Sequence, residues 1–311
     1  MLSQRGDKDM MGGHDHAGLR TARRWLKNVG GAFAVALLVV VLLPTGVKAA
    51  SSTKVALIVL ENHDYNNIVG NSSAPYLNSL MSEGLFLSDY NAIVAGSDKD
   101  YRAMTSGTTN ETTPTSANIF QGMQAAGDSW TELNESMGGN CGVTTSKTVP
   151  GTSVPLYVTD HDPAWMYASN EDCDADDVPL TSDSQLASLP KFSFIVPNDC
   201  DDMHTFPPKG TCPAYFGSVK ASDAVGIGDA WLSHVVPRLL ADPSVTVIVT
   251  FDEGNSPNEH IYAVELGAGV TAGTVNTTKY NHYGLLAGLY ENFALGTAPH
   301  NGAKAKVVSI G

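Results

Sequence analysis

The sequence predicts an α/β fold, a three-layer sandwich on a largely parallel central sheet, and three observations predict it. Two apolar runs, at residues 55–60 and 246–251, lack polar alternation, as strands covered on both faces do. Helical patterns lie between the strand candidates, the alternation from which parallel sheets are built. With 311 residues, 42% of them hydrophobic and 16% charged, the chain has globular composition and enough length for a large core.

The elements follow in order. Residues 55–60, VALIVL, form the first strand. Residues 74–83 read as a helix, with Pro75 near its start, Leu77, Leu80 and Met81 on one face and Gly84 as its stop. Residues 192–196, 246–251 and 261–266 are further strands, rich in β-branched or aromatic residues. A helix over 229–240 carries Leu232, Val235, Val236 and Leu239, with Pro237 as a kink or boundary. A last helix over 283–293 sets Tyr283, Leu286, Tyr290 and Phe293 on one stripe. Residues 105–118, 138–153 and the acidic 170–177 read as loops. With no internal repeat and no dividing linker, residues 50–311 are expected to form one domain.

The first 49 residues differ. Arg20, Arg23, Arg24 and Lys27 precede an apolar run of about 14 residues that ends at Pro44, and Val47-Lys48-Ala49 offers small residues at a cleavage site. The run is short for a membrane span of ~20 residues, so a signal peptide removed after Ala49, and hence secretion, is expected; an uncleaved anchor is the alternative. Residues 1–49 hold 7 of the 18 Lys and Arg and 3 of the 32 Asp and Glu, so the remainder carries a net charge of −18. Such a body is repelled by nucleic acid and anionic membranes, and no stable protein partner is inferred. Any phosphate chemistry would draw its positive charge from a metal ion and histidines. Cys141, Cys173, Cys200 and Cys212 all lie in the exported part. Three pairings are open, and proximity favours 141–173 with 200–212.

Ligands of such sheets gather beyond the carboxyl ends of the strands. There the first apolar run ends in Glu61-Asn62 and the other in Asp252-Glu253. If the strands are neighbours, three carboxylates and an amide converge, a hard oxygen set suited to one divalent cation such as Ca, Mg or Mn, with Zn as an alternative. Taken singly, each pair reads first as an ordinary wet strand end. Ser97 precedes a short helix beginning near Asp98, as its N-cap, with Asp100 three residues on as an imperfect capping box. A serine there can also face a phosphate as nucleophile. His161 precedes Asp162-Pro163, His204 follows Asn198 and several acids, and His282 stands at a helix start. His63, His234, His260 and His300 have no supporting context.

Taken together, these pieces form an order. Glu61-Asn62 follows the first strand; Ser97 precedes Tyr101-x-Ala103-x-x-Ser106-Gly107; then come His161-x-Pro163, Pro197-Asn198 with His204, and Gly228-Asp229-x-Trp231-Leu232; Thr250-Phe251-Asp252-Glu253 and His282-Tyr283 close the series. The order resembles the bacterial phosphoesterase family of secreted acid phosphatases and phospholipases C, within the alkaline-phosphatase-like superfamily. The resemblance spans the chain from about Lys54 to Leu295. It implies a single metal held by Glu61, Asn62, Asp252 and Glu253, Ser97 as nucleophile, and His161, His204 and His282 around the phosphate. It sets Asp100 and Asn198 at the substrate. Asp100 stands where relatives carry an asparagine, and a carboxylate there repels the substrate unless it is protonated or metal-bound. Three readings stay open: a phosphomonoesterase for soluble or lipid phosphate esters, a phospholipase C-type phosphodiesterase, and a secreted metal- or phosphate-binding protein without catalysis.

Overall fold

A computed structural model describes residues 54–110, 116–142, 146–167, 173–255, 257 and 259–311. The expected signal peptide lies outside the described residues. Among them no helix is long and apolar enough to cross a membrane.

Eight strands make the main sheet. They are β1 (Lys54–Leu60), β2 (Leu85–Leu87), β3 (Trp130–Glu135), β4 (Asp177–Leu180), β5 (Phe192–Val196), β6 (Val245–Phe251), β7 (Ala263–Gly267) and β8 (Thr274–Asn276). Their order is β8-β2-β7-β6-β1-β5-β3-β4. The strands β6, β1, β5, β3 and β4 run parallel, and β7 runs against both of its neighbours. Every residue from Val55 to Leu60 is fully buried. Successive side chains of a strand point to opposite faces, so the sheet is covered on both sides, as the expected sandwich requires.

Four helices matter for the site: α1 (Pro75–Glu83), α2 (Ser97–Ser106), α3 (Ala224–Leu239) and α4 (His282–Asn292). Helix α1 packs against α3, and α2 against α4. Helix α3 starts five residues before the expected position. Asp223 caps it by accepting from the Gly226 N–H at 2.8 Å, but two glycines among its first five residues blur the apolar period. It also continues through Pro237 to Leu239. A Cβ at Gly228 would lie 2.7 Å from the Asp201 carbonyl oxygen, so glycine lets α3 approach the loop after β5.

The expected strand over 261–266 is split. His260–Ile261 pairs with Tyr90–Asn91 in a small separate sheet, and only Ala263–Gly267 joins the main one. Within the expected loop over 170–177, residues 173–176 form a helical turn that runs into β4 at Asp177. Disulfides join Cys141 to Cys173 and Cys200 to Cys212, the pairing that proximity favours.

Candidate active site

Strands β1 and β6 lie side by side in full register, with Leu60 opposite Phe251. Their carboxyl ends therefore meet, and Glu61, Asn62, Asp252 and Glu253 converge. Adjacent side chains of a regular strand diverge, so the chain must turn to bring a pair together. Asn62 makes that turn at φ 39°, in the left-handed region that asparagine tolerates. Its backbone N–H donates to Asp252 Oδ1 at 3.3 Å and its amide Nδ2 to Glu253 Oε1 at 3.1 Å. A Cβ at Gly254 would lie 2.4 Å from Asp64 Oδ1, so a side chain there would have to displace that carboxylate.

Helix α2 brings Ser97 to the same place. Its N-cap is Gly96, at φ 119°, a conformation that side chains rarely adopt. Ser97 is thus the first helical residue and not the cap. The Gly96 N–H donates to Glu253 Oε2 at 2.5 Å. The Ser97 hydroxyl reaches Glu61 Oε2 at 3.1 Å and Glu253 Oε1 at 3.4 Å. The expected capping box is absent. The Asp100 carboxylate instead accepts from the N–H groups of Ile93, at 2.8 Å, and Val94, at 3.3 Å. It is fully buried, and burial pushes its pKa up to about 8.

Two further residues complete the acidic centre. Tyr101 donates to Glu61 Oε1 at 2.7 Å and stacks on the His161 ring. Asp202 is fully buried; its carbonyl accepts from Glu61 N at 2.9 Å, and its Oδ2 lies 3.9 Å from His161 Nδ1. His161 Nε2 lies 3.5 Å from Glu61 Oε2. Burial and the mutual repulsion of these carboxylates drive Glu61 and Asp202 well above the usual range, and Asp252 up to about 7. The acids facing His161 are thereby pushed towards their neutral forms. Burial and the nearby His204 then hold His161 down at about 3.

The donor set fits a divalent cation. Asn62 Oδ1, Asp252 Oδ2 and Asp202 Oδ2 are buried and accept no hydrogen bond. Glu61, His161 and Asp202 bring ligand atoms within 4.8 Å of one another. Oxygen acceptors without donors are what a hard cation satisfies.

The remaining expected residues are placed unevenly. His282 is fully buried at the start of α4, and both ring nitrogens are engaged. Its Nε2–H donates to the Asp252 carbonyl at 2.5 Å, and Nδ1 lies 3.1 Å from the Tyr90 hydroxyl, an arrangement for a neutral ring. Burial holds its pKa near 4. His204 is 45% exposed at the rim, with Asp199 Oδ1 3.3 Å from its Nδ1. Asn198 is turned away from the centre: its side chain accepts from Cys200 N and Asp201 N and donates to Asp201 Oδ2 and the Pro213 carbonyl. His63 lies at the edge of the centre, its Nε2 3.1 Å from the Met203 carbonyl. His234 pairs with Asp183, and His260 stacks on Tyr65. Sequence reasoning missed Tyr101 and Asp202. The first stands four residues after Ser97, one helical turn on. The second is one of three acids in Asp199–Asp202, and only the fold distinguishes it.

The chain is 29% identical over 263 residues to a phosphatidylinositol-3-phosphatase of Mycobacterium tuberculosis, covering 78% of this chain and 77% of that protein. It is 26% identical over 281 residues to a phosphate-repressible acid phosphatase of Penicillium chrysogenum, covering 81% of this chain and 61% of that protein. The chain thus spans less than two thirds of the fungal relative. Among solved structures, an alkaline phosphatase superfamily protein from Vibrio parahaemolyticus superposes with TM-score 0.50 at 13% identity, over 80% of this chain and 67% of that one. A sulfatase from Pseudoalteromonas sp. superposes with TM-score 0.52 at 11% identity, over 83% and 71%. At such identities the likeness concerns the fold, and it bears out the expected alkaline-phosphatase-like sandwich. The family model described as the Phosphoesterase family matches residues 90–296, two thirds of the chain, across α2, the histidine loops and the β6 terminus. The chain belongs to the Phosphoesterase family and is a hydrolase of phosphoric esters.

Proposed function

We propose that the chain is an exported, metal-dependent phosphomonoesterase with Ser97 as its nucleophile and phospho-Ser97 as its intermediate. The observation that carries this reading is the position of the Ser97 hydroxyl, at the N-terminus of α2 and hydrogen-bonded to two carboxylates from two different strand ends. An alkoxide facing Glu61 and Glu253 would be repelled, so the arrangement makes sense only with positive charge at that point. A divalent cation held by Glu61, Asn62, Asp252 and Glu253, with Asp202 beside them, would supply it, lowering the serine pKa and neutralising phosphoryl oxygens.

The protein's own groups do the rest. Ser97 Oγ attacks phosphorus in line with the leaving oxygen. Glu61 Oε2, which accepts from the Ser97 hydroxyl, is placed to receive its proton, with neutral His161 3.5 Å beyond it. The α2 N-terminus favours the negative phosphoryl group. His282, sealed beneath Asp252, positions that residue and does not reach the leaving group. Protonation of the leaving alcohol falls to His204, which faces solvent and is oriented by Asp199. Water then hydrolyses phospho-Ser97. The exported location rests on the basic, apolar and small-residue order of residues 1–49 and on the two disulfides.

The test compares wild type with Ser97→Ala on p-nitrophenyl phosphate, with and without chelator, and looks for acid-stable phosphoserine after a quench. Loss of both turnover and the label in the variant is expected, and retained turnover would overturn the assignment. The panel should include a phosphatidylinositol 3-phosphate, because the mycobacterial relative is named for one, and a phosphodiester, which a monoesterase should leave intact.

A further inference from the structure

A second buried acidic cluster lies away from Ser97, at the β3–β4 edge of the sheet. Glu132 of β3 stands opposite Asp177 of β4 in register. Asp162, from the loop after His161, closes over both. All three are fully buried, and their ligand atoms lie within 4.8 Å of one another. Among the described residues none of the three has an ion-pair partner.

The hydrogen bonds reaching the cluster leave it short of donors. Glu132 Oε2 accepts from Ala164 N at 2.8 Å. Asp162 accepts from the Tyr157 hydroxyl at 2.5 Å and from Trp165 N at 2.9 Å. Asp177 accepts from Asn134 Nδ2 at 2.9 Å and Gly142 N at 3.1 Å. Two oxygens remain: Glu132 Oε1 and Asn134 Oδ1 are buried without any hydrogen-bond partner. Residues 132 and 134 are two apart on one strand and so share a sheet face. The Asn134 amide, bonded to Asp177, stands at the cluster with its oxygen unsatisfied. An unpaired buried acceptor is costly, and unshielded buried carboxylates more so.

We propose that Glu132, Asp162 and Asp177, with the amide oxygen of Asn134, hold a second divalent cation of the calcium class. The donors are all oxygen and anionic, which suits a hard ion. The ion ties three separate pieces of chain: strand β3, strand β4 next to the Cys141–Cys173 disulfide, and the loop whose preceding residue is His161. Its role is to clamp that loop. The proposal does not depend on Ser97 being the nucleophile.

Bound calcium is measured by equilibrium dialysis of the mature protein against radioactive Ca²⁺, for wild type, Asp252→Asn, Glu132→Gln and the double variant. Glu132→Gln should bind one ion per chain fewer than wild type, and the double variant one fewer than Asp252→Asn. Ca²⁺ should raise the melting temperature of Asp252→Asn, and Tb³⁺ bound to that variant should luminesce by transfer from Tyr157 and its aromatic neighbours. Unchanged stoichiometry in Glu132→Gln would overturn the proposal. If Glu132→Gln does not fold, Asp252→Asn decides alone. No bound Ca²⁺, no thermal shift and no Tb³⁺ signal would mean that the three acids share a proton in place of an ion.

Discussion

Tyr101 sits one helical turn behind Ser97, and the two side chains grip opposite oxygens of one carboxylate: Ser97 donates to Glu61 Oε2 and Tyr101 to Glu61 Oε1, at 2.7 Å. The i, i+4 spacing of α2 thus couples the nucleophile candidate to the carboxylate that ends β1. Tyr101 never needs to touch substrate to matter. Removing only its hydroxyl, in Tyr101→Phe, keeps the ring stacked on His161 and frees Glu61 to rotate. Loss of such an outer partner typically lowers metal affinity or activity by about 10- to 100-fold. Titrating activity with metal should show a weaker apparent affinity for the variant, with a near-normal maximum at saturation. Equal metal dependence would mean that Glu61 is held by other contacts.

Asp100 suggests a simple experiment with a counterintuitive outcome. The family pattern has an asparagine there, so Asp100→Asn looks like a restoration. In this chain both carboxylate oxygens accept backbone N–H groups from the loop leading to Gly96. An asparagine offers one oxygen and turns an NH₂ group against the other N–H. The expected result is a loss of about 1–3 kcal/mol of stability and reduced activity, not activation. Urea melts and turnover of the same preparation check it, and a gain in activity would show that Asp100 represses catalysis.

Much of the centre is legible in the sequence, and the reason is local. Either apolar run ending in carboxylates is an ordinary strand end by itself, but two such runs, at 55–62 and 247–253, with Ser97 and the histidines in order, point to one centre. Strand β3 gives no such signal. Its sequence, WTELNE, has two glutamates and an asparagine among six residues, yet Glu132, Asn134 and Glu135 are all buried. Backbone N–H groups of distant segments reach two of their oxygens, Ala164 N bonding Glu132 Oε2 and Tyr215 N bonding Glu135 Oε1, and no pattern within the strand reveals that. Asn198 and Asp202 illustrate the same limit in one turn. Both are polar and sit after β5, but only packing decides that Asn198 knots the turn while Asp202 faces His161.

Strand β7 carries a further anomaly, Glu265, paired between Ile248 and Leu85 and fully buried. Its Oε1 has no hydrogen-bond partner, and burial pushes its pKa from 4.5 up to about 7. Folding therefore takes up a proton at this carboxyl between those two values. The stability it permits is fully present in acid and is lost as pH rises from about 4.5 through 7. Glu265→Gln removes that titration. Melting temperature followed across this window should fall less steeply for the variant, and the variant should be the more stable protein above pH 7. Parallel curves would show that the folded carboxyl titrates as it does in the unfolded chain.

If His204 is the acid, its contribution depends on the leaving group. p-Nitrophenolate leaves readily without a proton, whereas an alkoxide does not. General acid catalysis typically contributes about 10²–10⁴-fold, and only where the leaving oxygen needs the proton. His204→Gln should therefore lower kcat on an alkyl phosphate by that order while changing p-nitrophenyl phosphate turnover by less than about tenfold. His282→Gln should not discriminate. Its ring bonds the Asp252 carbonyl and the Tyr90 hydroxyl inside the protein, so its loss should harm both substrates alike through the strand end it holds. Measuring kcat for the two substrates in each variant separates the roles. If His282→Gln shows the leaving-group dependence and His204→Gln does not, the proton comes from α4 and the rim histidine only binds.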